Sequence, residues 1–247
     1  MTRDALDLKQ PIAHRGLHDE KKGIVENSAS AIEAAIAKGY AVEVDVQCAA
    51  HSIPVVFHDR TLDRLTGESG AVATRDEAAL CQIPLCNSSD CILSLDGLLG
   101  LVGGRVPLLI EVKSTWSGDH SYEQNIATTL AAYKGHVAVM SFDPQSVAAF
   151  RRVAPSLPRG LIAERFEEHY WPDLSAWQRF AMRHLLTAAI ARPDFIAYDV
   201  RALPALAPGI ARDVFRLPLL TWTVRSEADQ ANALLFADAV IFEGIVP

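Results

Sequence analysis

Charged side chains recur at the ends of apolar runs in the first half of the chain. These runs are, in chain order, Ala13-His14-Arg15-Gly16, Val42-Glu43-Val44-Asp45-Val46, Phe57-His58-Asp59 and Ile110-Glu111-Val112-Lys113. In a barrel of parallel strands, catalytic groups gather at the carboxyl ends of the strands. Any single run has an ordinary explanation, such as a solvated strand face, a hydrogen-bonded histidine or a neighbouring ion pair. The same pattern in four successive runs indicates one site built from several strand ends.

The acids in these runs have the spacing of side chains that share one face of a strand. Glu43 and Asp45 are two positions apart, and Glu111 and Lys113 repeat this spacing. Carboxylates that converge inside a barrel repel one another, which raises their pKa values unless a cation balances them. Oxygen ligands favour Mg2+ or Ca2+ over zinc. We therefore predict one divalent cation, Mg2+ or Ca2+, beside Glu43, Asp45 and Glu111.

Two histidines and two cationic side chains accompany these acids. His14 and His58 suit general acid–base catalysis near neutral pH. Arg15 and Lys113 suit phosphate oxygens, which a guanidinium can bind through two donors at once. With a divalent cation, such a set is typical of metal-assisted cleavage of a phosphoester.

The elements that must position these residues are short β-type runs that alternate with helical patterns. Several runs are rich in Val and Ile and apolar on both faces, as in a parallel sheet covered by helices. This alternation predicts an α/β fold with a parallel sheet. The length of 247 residues is close to the ~250 typical of one (β/α)8 barrel. The candidate strands are residues 11–14, 41–47, 54–58, 108–113, 137–142, 160–163, 195–199, 219–223 and 239–242.

Nine candidate strands are one more than a (β/α)8 barrel needs. Residues 48–53 are too few for a crossover helix, which takes about a dozen residues, so either neighbouring run can be an extra hairpin strand. Residues 59–105 read as loops with a short helix near 95–102, partly covering a barrel mouth. Ser30 and Glu33 form a capping-box pattern for a helix that stops at Gly39. A second cap is expected at Ser175, for a helix with one apolar face made of Trp177, Phe180, Ala181, Leu185 and Ala188.

Composition limits the class of protein. Hydrophobic residues make up 50% and charged residues 21% of the chain, which excludes a disordered or collagen-like protein. The net charge of −7 gives no basic footprint for nucleic acid. We expect no secretory signal in the first ten residues, no membrane span, four cysteines as thiols, and a cytoplasmic location. We also expect a single domain over residues 1–247.

The ordered motifs resemble those of the glycerophosphodiester phosphodiesterase family, within the phosphatidylinositol phospholipase C-like superfamily. The resemblance runs from about residue 11 to the C-terminus and is most specific in the first half. The motifs are His14-Arg15-Gly16, Glu26-Asn27, Glu43-x-Asp45, His58-Asp59, Leu62-Asp63-Arg64, Glu111-x-Lys113, Ser141-Phe142 and Trp222-Thr223-Val224.

The resemblance implies a (β/α)8 barrel that hydrolyses small-molecule glycerophosphodiesters to glycerol 3-phosphate and an alcohol, a step in lipid and glycerol metabolism. It implies two steps: the vicinal glycerol hydroxyl attacks phosphorus, and water then opens the cyclic phosphate. Which histidine is base and which is acid stays open. The implied roles are metal ligation for Glu43, Asp45 and Glu111, acid–base catalysis for His14 and His58, phosphate binding for Arg15 and Lys113, an apolar wall near the glycerol for Trp222, and support of the metal or of the His14 side for Glu26 and Asn27.

Some positions depart from the family pattern near the expected barrel mouth. Arg225 replaces the asparagine of Trp-Thr-Val-Asn, and Glu243-Gly244 stands in the C-terminal Ile-Ile-Thr-Asp motif. Arg225 is interpreted as a surface residue, with binding of an anionic head group as the other reading. Two alternative functions remain: a related phospholipase of lysophospholipase D or phosphatidylinositol phospholipase C type, and a non-catalytic barrel that binds metal or phosphodiester. A homo-oligomer is possible.

Overall fold

Parallel strands and helices alternate along most of the chain in a computed structural model, which describes residues 10–247. The strands are β1 Ile12–Ala13, β2 Ala41–Cys48, β3 Pro54–Val56, β4 Leu93–Ser94, β5 Leu108–Val112, β6 Val137–Ser141, β7 Arg159–Ala163, β8 Phe195–Asp199, β9 Leu219–Val224 and β10 Ala239–Phe242. The α-helices are α1 Ala29–Ala37, α2 Glu77–Leu80, α3 Leu95–Val102, α4 Ser121–Leu130, α5 Pro144–Val153, α6 Ala176–Arg183, α7 Ala188–Ala191, α8 Leu206–Asp213 and α9 Glu227–Phe236.

Eight of these strands form a closed parallel barrel. β1 pairs in parallel with both β10 and β2, which joins the two ends of the strand order β1-β2-β5-β6-β7-β8-β9-β10. The predicted (β/α)8 fold is therefore confirmed. The register matters for function, because it pairs Asp45 on β2 with Glu111 on β5.

The extra strand is the third predicted run. β3 is antiparallel to the end of β2, and β4, which we did not predict, is antiparallel to β3. The segment that follows is more than loops, because its apolar side chains pack into a hydrophobic cluster of their own beneath β3 that includes Phe57, Leu62, Val72, Leu80 and Ile92. The short helix expected near residues 95–102 is α3.

Side chains inside the barrel are apolar at the amino end and become polar at the carboxyl end. The inner cluster includes Leu109, Ala138, Ala197, Leu220 and Ile241. Outward-facing residues such as Val42, Val44 and Ile110 pack instead against the helices. This alternation is the period-2 pattern of strands buried on both faces. The polar ends of the inward rows form the site described below.

The helix cap predicted at Ser30 was wrong. The extended residue is Ser28, whose Oγ accepts a hydrogen bond from the N–H of Ala31 at 3.1 Å. Ser30 lies inside the first turn, and Glu33 accepts hydrogen bonds from Arg105 instead of closing a capping box. The chain turns just after the helix at Gly39, whose φ is +73°, as expected.

The cap predicted at Ser175 is confirmed, with Gln178 completing a capping box. The predicted apolar face is only partly correct. Ala181 and Leu185 are buried, but Trp177 and Phe180 are 67% and 49% exposed. The helix ends at Arg183, so Ala188 belongs to the next helix, α7.

Three further expectations concern a membrane span, the cysteines and a secretory signal. Within residues 10–247, no helix combines the length and the hydropathy that crossing a bilayer requires. The four cysteines are free thiols, as predicted. The expected lack of a secretory signal concerns a segment whose residues 1–9 lie outside the described part of the chain.

Candidate active site

Three carboxylates meet at the carboxyl end of the barrel. Oxygens of Glu43, Asp45 and Glu111 lie within 4.8 Å of one another, and all three side chains are buried. In the described part of the chain, Glu43 Oε1 has no hydrogen-bond partner. Buried oxygens without partners are costly unless a cation or a donor reaches them. The donor set fits a divalent cation that prefers oxygen ligands.

The acids of this cluster differ in proton affinity. Burial, and then the nearby Asp45 and Glu111, raise the pKa of Glu43 well above its ordinary value. Burial also disfavours the Asp45 carboxylate, but Lys113 and Arg15 outweigh burial and hold the pKa of Asp45 well below its usual range. Lys113 Nζ lies 2.8 Å from Asp45 Oδ1, and Arg15 Nε lies 3.0 Å from Oδ2. Of Glu43 and Asp45, Asp45 is therefore the acid whose ionised form the site favours.

Arg15 is held by a strained turn at the end of β1. Its φ is +55°, and its backbone N–H donates to Glu43 Oε2 at 2.9 Å. Gly16 follows with φ +77°, where a Cβ atom would lie 2.7 Å from the carbonyl carbon of Ala31. Only glycine fits this close approach of the turn to α1. The turn thus directs both the backbone and the guanidinium of Arg15 towards the acids.

Glu26 and Asn27 support different parts of the site. Asn27 Nδ2 donates to Asp45 Oδ2 at 2.9 Å, and the Asp45 N–H donates back to Asn27 Oδ1 at 3.0 Å. Glu26 accepts from Arg15 at 2.7 Å and from Arg64 at 2.8 and 3.0 Å. Burial disfavours the Glu26 carboxylate, but hydrogen bonds from Arg64 and Arg15 lower its pKa below the ordinary value. Asn27 therefore orients an acid of the cluster, whereas Glu26 orients the cationic side chains.

His14 is buried at the end of β1 and contacts Glu243. Its Nδ1 lies 2.8 Å from Glu243 Oε2. Hydrogen bonding to His14 and to Arg225 lowers the pKa of Glu243 to about 2, so the carboxylate is ionised and can only accept. The proton of neutral His14 is therefore on Nδ1 and the lone pair on Nε2. Burial lowers the pKa of His14, and the bond to Glu243 opposes that effect.

Glu243 was not assigned a role from the sequence. The sequence pattern that could have identified it is the inward-facing row of β10. Ala239 and Ile241 belong to the inner cluster, and Glu243 is the next residue on the same face. Arg225 is about half-exposed, and its guanidinium donates to Glu243 Oε2 at 2.9 Å. His18 Nε2 lies 3.9 Å from the other oxygen of Glu243.

His58 repeats the same arrangement at higher exposure. It follows β3, and its Nδ1 lies 2.6 Å from Asp59 Oδ1. Burial raises the pKa of Asp59, but hydrogen bonds from Arg64 and His58 hold it at about 2. Gln47 Nε2 donates to the His58 carbonyl at 3.2 Å. Each of the two histidines thus places Nδ1 against a carboxylate.

Trp222 stands in an aromatic cluster at the same end of the barrel. Its ring lies 5.5 Å from that of Phe142, which in turn contacts Trp171 at 5.3 Å and Phe166 at 6.2 Å. Trp116 joins at 6.2 Å from Trp171. Trp171 also contacts Phe166 in this cluster, at 5.2 Å between ring centroids. These residues follow or end β5, β6, β7 and β9, so they form one apolar wall of the barrel mouth.

A closed (β/α)8 barrel with an acidic cluster, two carboxylate-bound histidines and two cationic side chains at its carboxyl end defines a phosphodiesterase-like barrel. Residues 14–243 match the model of the glycerophosphoryl diester phosphodiesterase family. The chain belongs to this family.

Curated relatives carry the same family name. The chain is 29% identical over 161 residues to the glycerophosphodiester phosphodiesterase of Caldanaerobacter subterraneus subsp. tengcongensis, which is 61% of this chain and 65% of that protein. It is 29% identical over 160 residues to a putative glycerophosphodiester phosphodiesterase of Bacillus subtilis. The match spans slightly less than two thirds of the length of each relative, 65% and 64%.

Solved structures of similar shape cover nearly the whole chain. An Oleispira antarctica phosphodiesterase in complex with the product sn-glycerol-3-phosphate superposes with a TM-score of 0.76 at 20% identity, over 95% of this chain and 93% of that one. A glycerophosphodiester phosphodiesterase from Thermotoga maritima gives 0.70 at 20% identity, over 94% and 92%. At these identities, the likeness shows the barrel fold.

Proposed function

We propose that this protein hydrolyses glycerophosphodiesters to glycerol 3-phosphate and an alcohol. The observation that carries the proposal is the joint position of buried acids, cationic side chains and two oriented histidines at one barrel mouth. Family membership supports the same reaction. In this proposal one phosphodiester contacts all three kinds of group.

The acidic cluster is proposed to bind one divalent cation, Mg2+ or Ca2+. Glu43, Asp45 and Glu111 would be the ligands, and Asn27 would fix the orientation of Asp45. When bound, the cation would neutralise charge on the phosphoryl oxygens and polarise the attacking hydroxyl. Arg15 and Lys113 already contact Asp45, so they would supply positive charge to the phosphate on the same side of the site.

His14 is proposed as the general base. Its lowered pKa keeps the ring neutral near pH 7, and Glu243 holds the proton on Nδ1 so that Nε2 can accept another. In the first step, Nε2 takes the proton of the vicinal glycerol hydroxyl as its oxygen bonds to phosphorus. The bond to the alcohol oxygen breaks, and His58, entering the step as the imidazolium, gives its Nε2 proton to that oxygen. In the second step, water opens the cyclic phosphate with the two roles exchanged.

The apolar wall is proposed to contact the carbon skeleton of the substrate. Trp222 lies on the inner face of the barrel, next to Phe142. An aromatic face can bury the glycerol carbons while their hydroxyls stay towards the acids.

A panel of glycerophosphodiesters tests the proposal. We expect release of glycerol 3-phosphate from at least one of glycerophosphocholine, glycerophosphoethanolamine and glycerophosphoglycerol in the presence of Mg2+ or Ca2+. Chelation should remove the activity, and readdition of the cation should restore it. Release from none of these substrates with either cation would contradict the proposal.

One observation favours a second candidate, a phospholipase acting on lysophospholipid. The sequence alone revealed no apolar surface for an acyl chain at the mouth, but the aromatic cluster around Phe142 and Trp171 provides one. Lysophosphatidylcholine should therefore be assayed in the same panel. Choline release from it, with no glycerol 3-phosphate from the deacylated substrates, would favour this candidate.

A further inference from the structure

One outer face of the barrel exposes large apolar side chains that take no part in the acidic cluster. We call it the α6–α8 face and define it by six residues. Their exposed fractions are 67% for Trp177, 49% for Phe180, 51% for Leu186, 79% for Leu206, 40% for Ile210 and 69% for Phe215. Exposed apolar patches of this kind mark interaction sites more often than chance.

These side chains form one continuous surface. A cavity of about 1260 Å³ lies between α7 and α8, and Leu186, Leu206, Ile210 and Phe215 line it together with His184. The floor of the cavity includes Ile196 and Tyr198 of β8, which belong to the outer cluster and face away from the barrel interior. The surface continues beyond the cavity because the ring of Phe180 lies 4.4 Å from that of His184 and 5.6 Å from that of Trp177.

The charge of this face is opposite to that of the chain. Residues 174–193 contain Arg179, Arg183 and Arg192 and no acid, Asp173 and Asp194 flank this segment, and the whole chain carries −7. Arg179 pairs with Glu168 at 3.0 Å. Arg183 and Arg192 are exposed on the rim of the cavity, and neither forms an ion pair with a carboxylate within residues 10–247.

The other charged residues at the rim of the cavity leave its net charge positive. Glu167 lies at the cavity, and the Nδ1 atom of His169 is 3.6 Å from its carboxylate. Arg165 lies at the same rim. The cavity therefore has an apolar interior and a rim with more guanidinium groups than carboxylates.

We propose that the α6–α8 face docks on the surface of an anionic lipid bilayer. Apolar side chains beside arginines are the pattern of segments that lie in the membrane interface, and Asp213 of α8 is an exposed acid between Ile210 and Phe215. The apolar residues would enter the acyl boundary, while Arg183 and Arg192 would contact lipid phosphates.

A second copy of the chain suits this face less well. In a two-fold symmetric dimer, the same patch meets itself. The Arg183 and Arg192 of one protomer would then approach those of its partner, and like charges brought together at an interface are destabilising. The proposal is independent of the reaction at the barrel mouth.

Vesicle cosedimentation of the full chain tests the docking. We expect binding to vesicles of equimolar phosphatidylcholine and phosphatidylglycerol, weak binding to phosphatidylcholine alone, and loss of binding at high salt. The double variant Arg183→Gln/Arg192→Gln should bind roughly 30-fold more weakly, since each basic residue near an anionic surface strengthens binding about 5-fold. Trp177→Ser/Phe180→Ser should weaken binding to a similar degree.

Matched controls are Arg152→Gln and Val246→Ser, which change an exposed arginine and an exposed apolar residue outside the face. Both should bind like the parent. Because the arginine variants leave the apolar packing unchanged, they test the proposal even where the aromatic pair fails to fold. Equal binding by the arginine variants and the parent would overturn it. So would failure of the parent to bind anionic vesicles, or a dimer that Trp177→Ser dissociates.

Discussion

Glu243 Oε2 lies 2.8 Å from Nδ1 of His14, a residue 229 positions earlier in the chain. The contact exists because β1 and β10 are neighbours where the barrel closes. It fixes the tautomer of a buried imidazole at the mouth, in the way a carboxylate orients a catalytic base.

Replacing Glu243 with glutamine should impair catalysis through His14. The amide removes the negative charge that raises the pKa of His14, so that pKa should fall further. We expect kcat to drop at least ~10-fold and the acidic limb of the kcat/KM profile to move to lower pH, since less acid is needed to keep the base neutral. A pH profile of both proteins measures this.

Glu227→Gln is the matched control, because Glu227 is an exposed acid at the start of α9. Its profile should coincide with that of the parent. A lower kcat for Glu243→Gln without any displacement of the acidic limb would show that Glu243 acts only on structure.

His14→Ala and His58→Ala should each lower kcat by roughly 10²–10⁴-fold, the range of a general acid or base. Circular dichroism should show an intact barrel, because both side chains stand at strand ends and outside the apolar clusters. His184→Ala, on the α6–α8 face, should keep full activity. Near-normal turnover by His14→Ala would contradict the proposed role of His14 as the general base.

Glu43 and Asp45 should respond in opposite ways to loss of charge. Glu43→Gln imitates the protonated acid that its raised pKa favours, so without added cation its unfolding free energy should be unchanged or higher. Asp45→Asn leaves Lys113 and Arg15 without their buried counter-charge and should cost about 3–5 kcal/mol.

Both variants should lose the rise in melting temperature that Mg2+ or Ca2+ gives the parent, because each removes a proposed ligand. Urea unfolding measures the change in unfolding free energy of each variant. Thermal unfolding with and without cation measures the loss of the rise in melting temperature. An unchanged cation response in both variants would place the metal elsewhere.

The stability of the fold should fall in acid in part through Glu243. Its pKa is lowered from 4.5 to about 2, so its ionised form stabilises the folded state above pH 4.5, and that contribution disappears as the pH falls to about 2. Glu243→Gln should therefore be less stable than the parent at neutral pH, and the difference should close at about pH 2. Urea unfolding of both proteins at the two pH values tests this, and a constant difference would contradict it.

Much of the site was predictable because strand parity is a local property. Glu43 and Asp45 share a face whatever the rest of the chain does, and the structure buries both inside the barrel. The hairpin after β2 could be predicted from the length of the connecting segment alone, since residues 48–53 are too few to form a crossover helix. The hydrophobic cluster around Leu62 and Leu80 was not predicted, because it joins residues that no single periodic pattern in the sequence connects.

The errors have local and tertiary causes. Ser28 and Ser30 are both good capping residues, and the backbone conformation of Ser28, extended at φ −88° and ψ 161°, decides between them. Trp177 and Phe180 have helical spacing, but whether that face is buried depends on what packs against it, and they are exposed.

The sequence by itself determined the alternation of strands and helices, the shared face of the acids and the family motifs. Only the tertiary structure decided which groups became partners. Glu243 contacts His14, Glu26 joins Arg15 to Arg64, and Trp171 packs near Trp222 through Phe142. Side-chain direction is set by neighbouring residues, whereas these contacts depend on the closure and register of the barrel, which join residues distant in the chain.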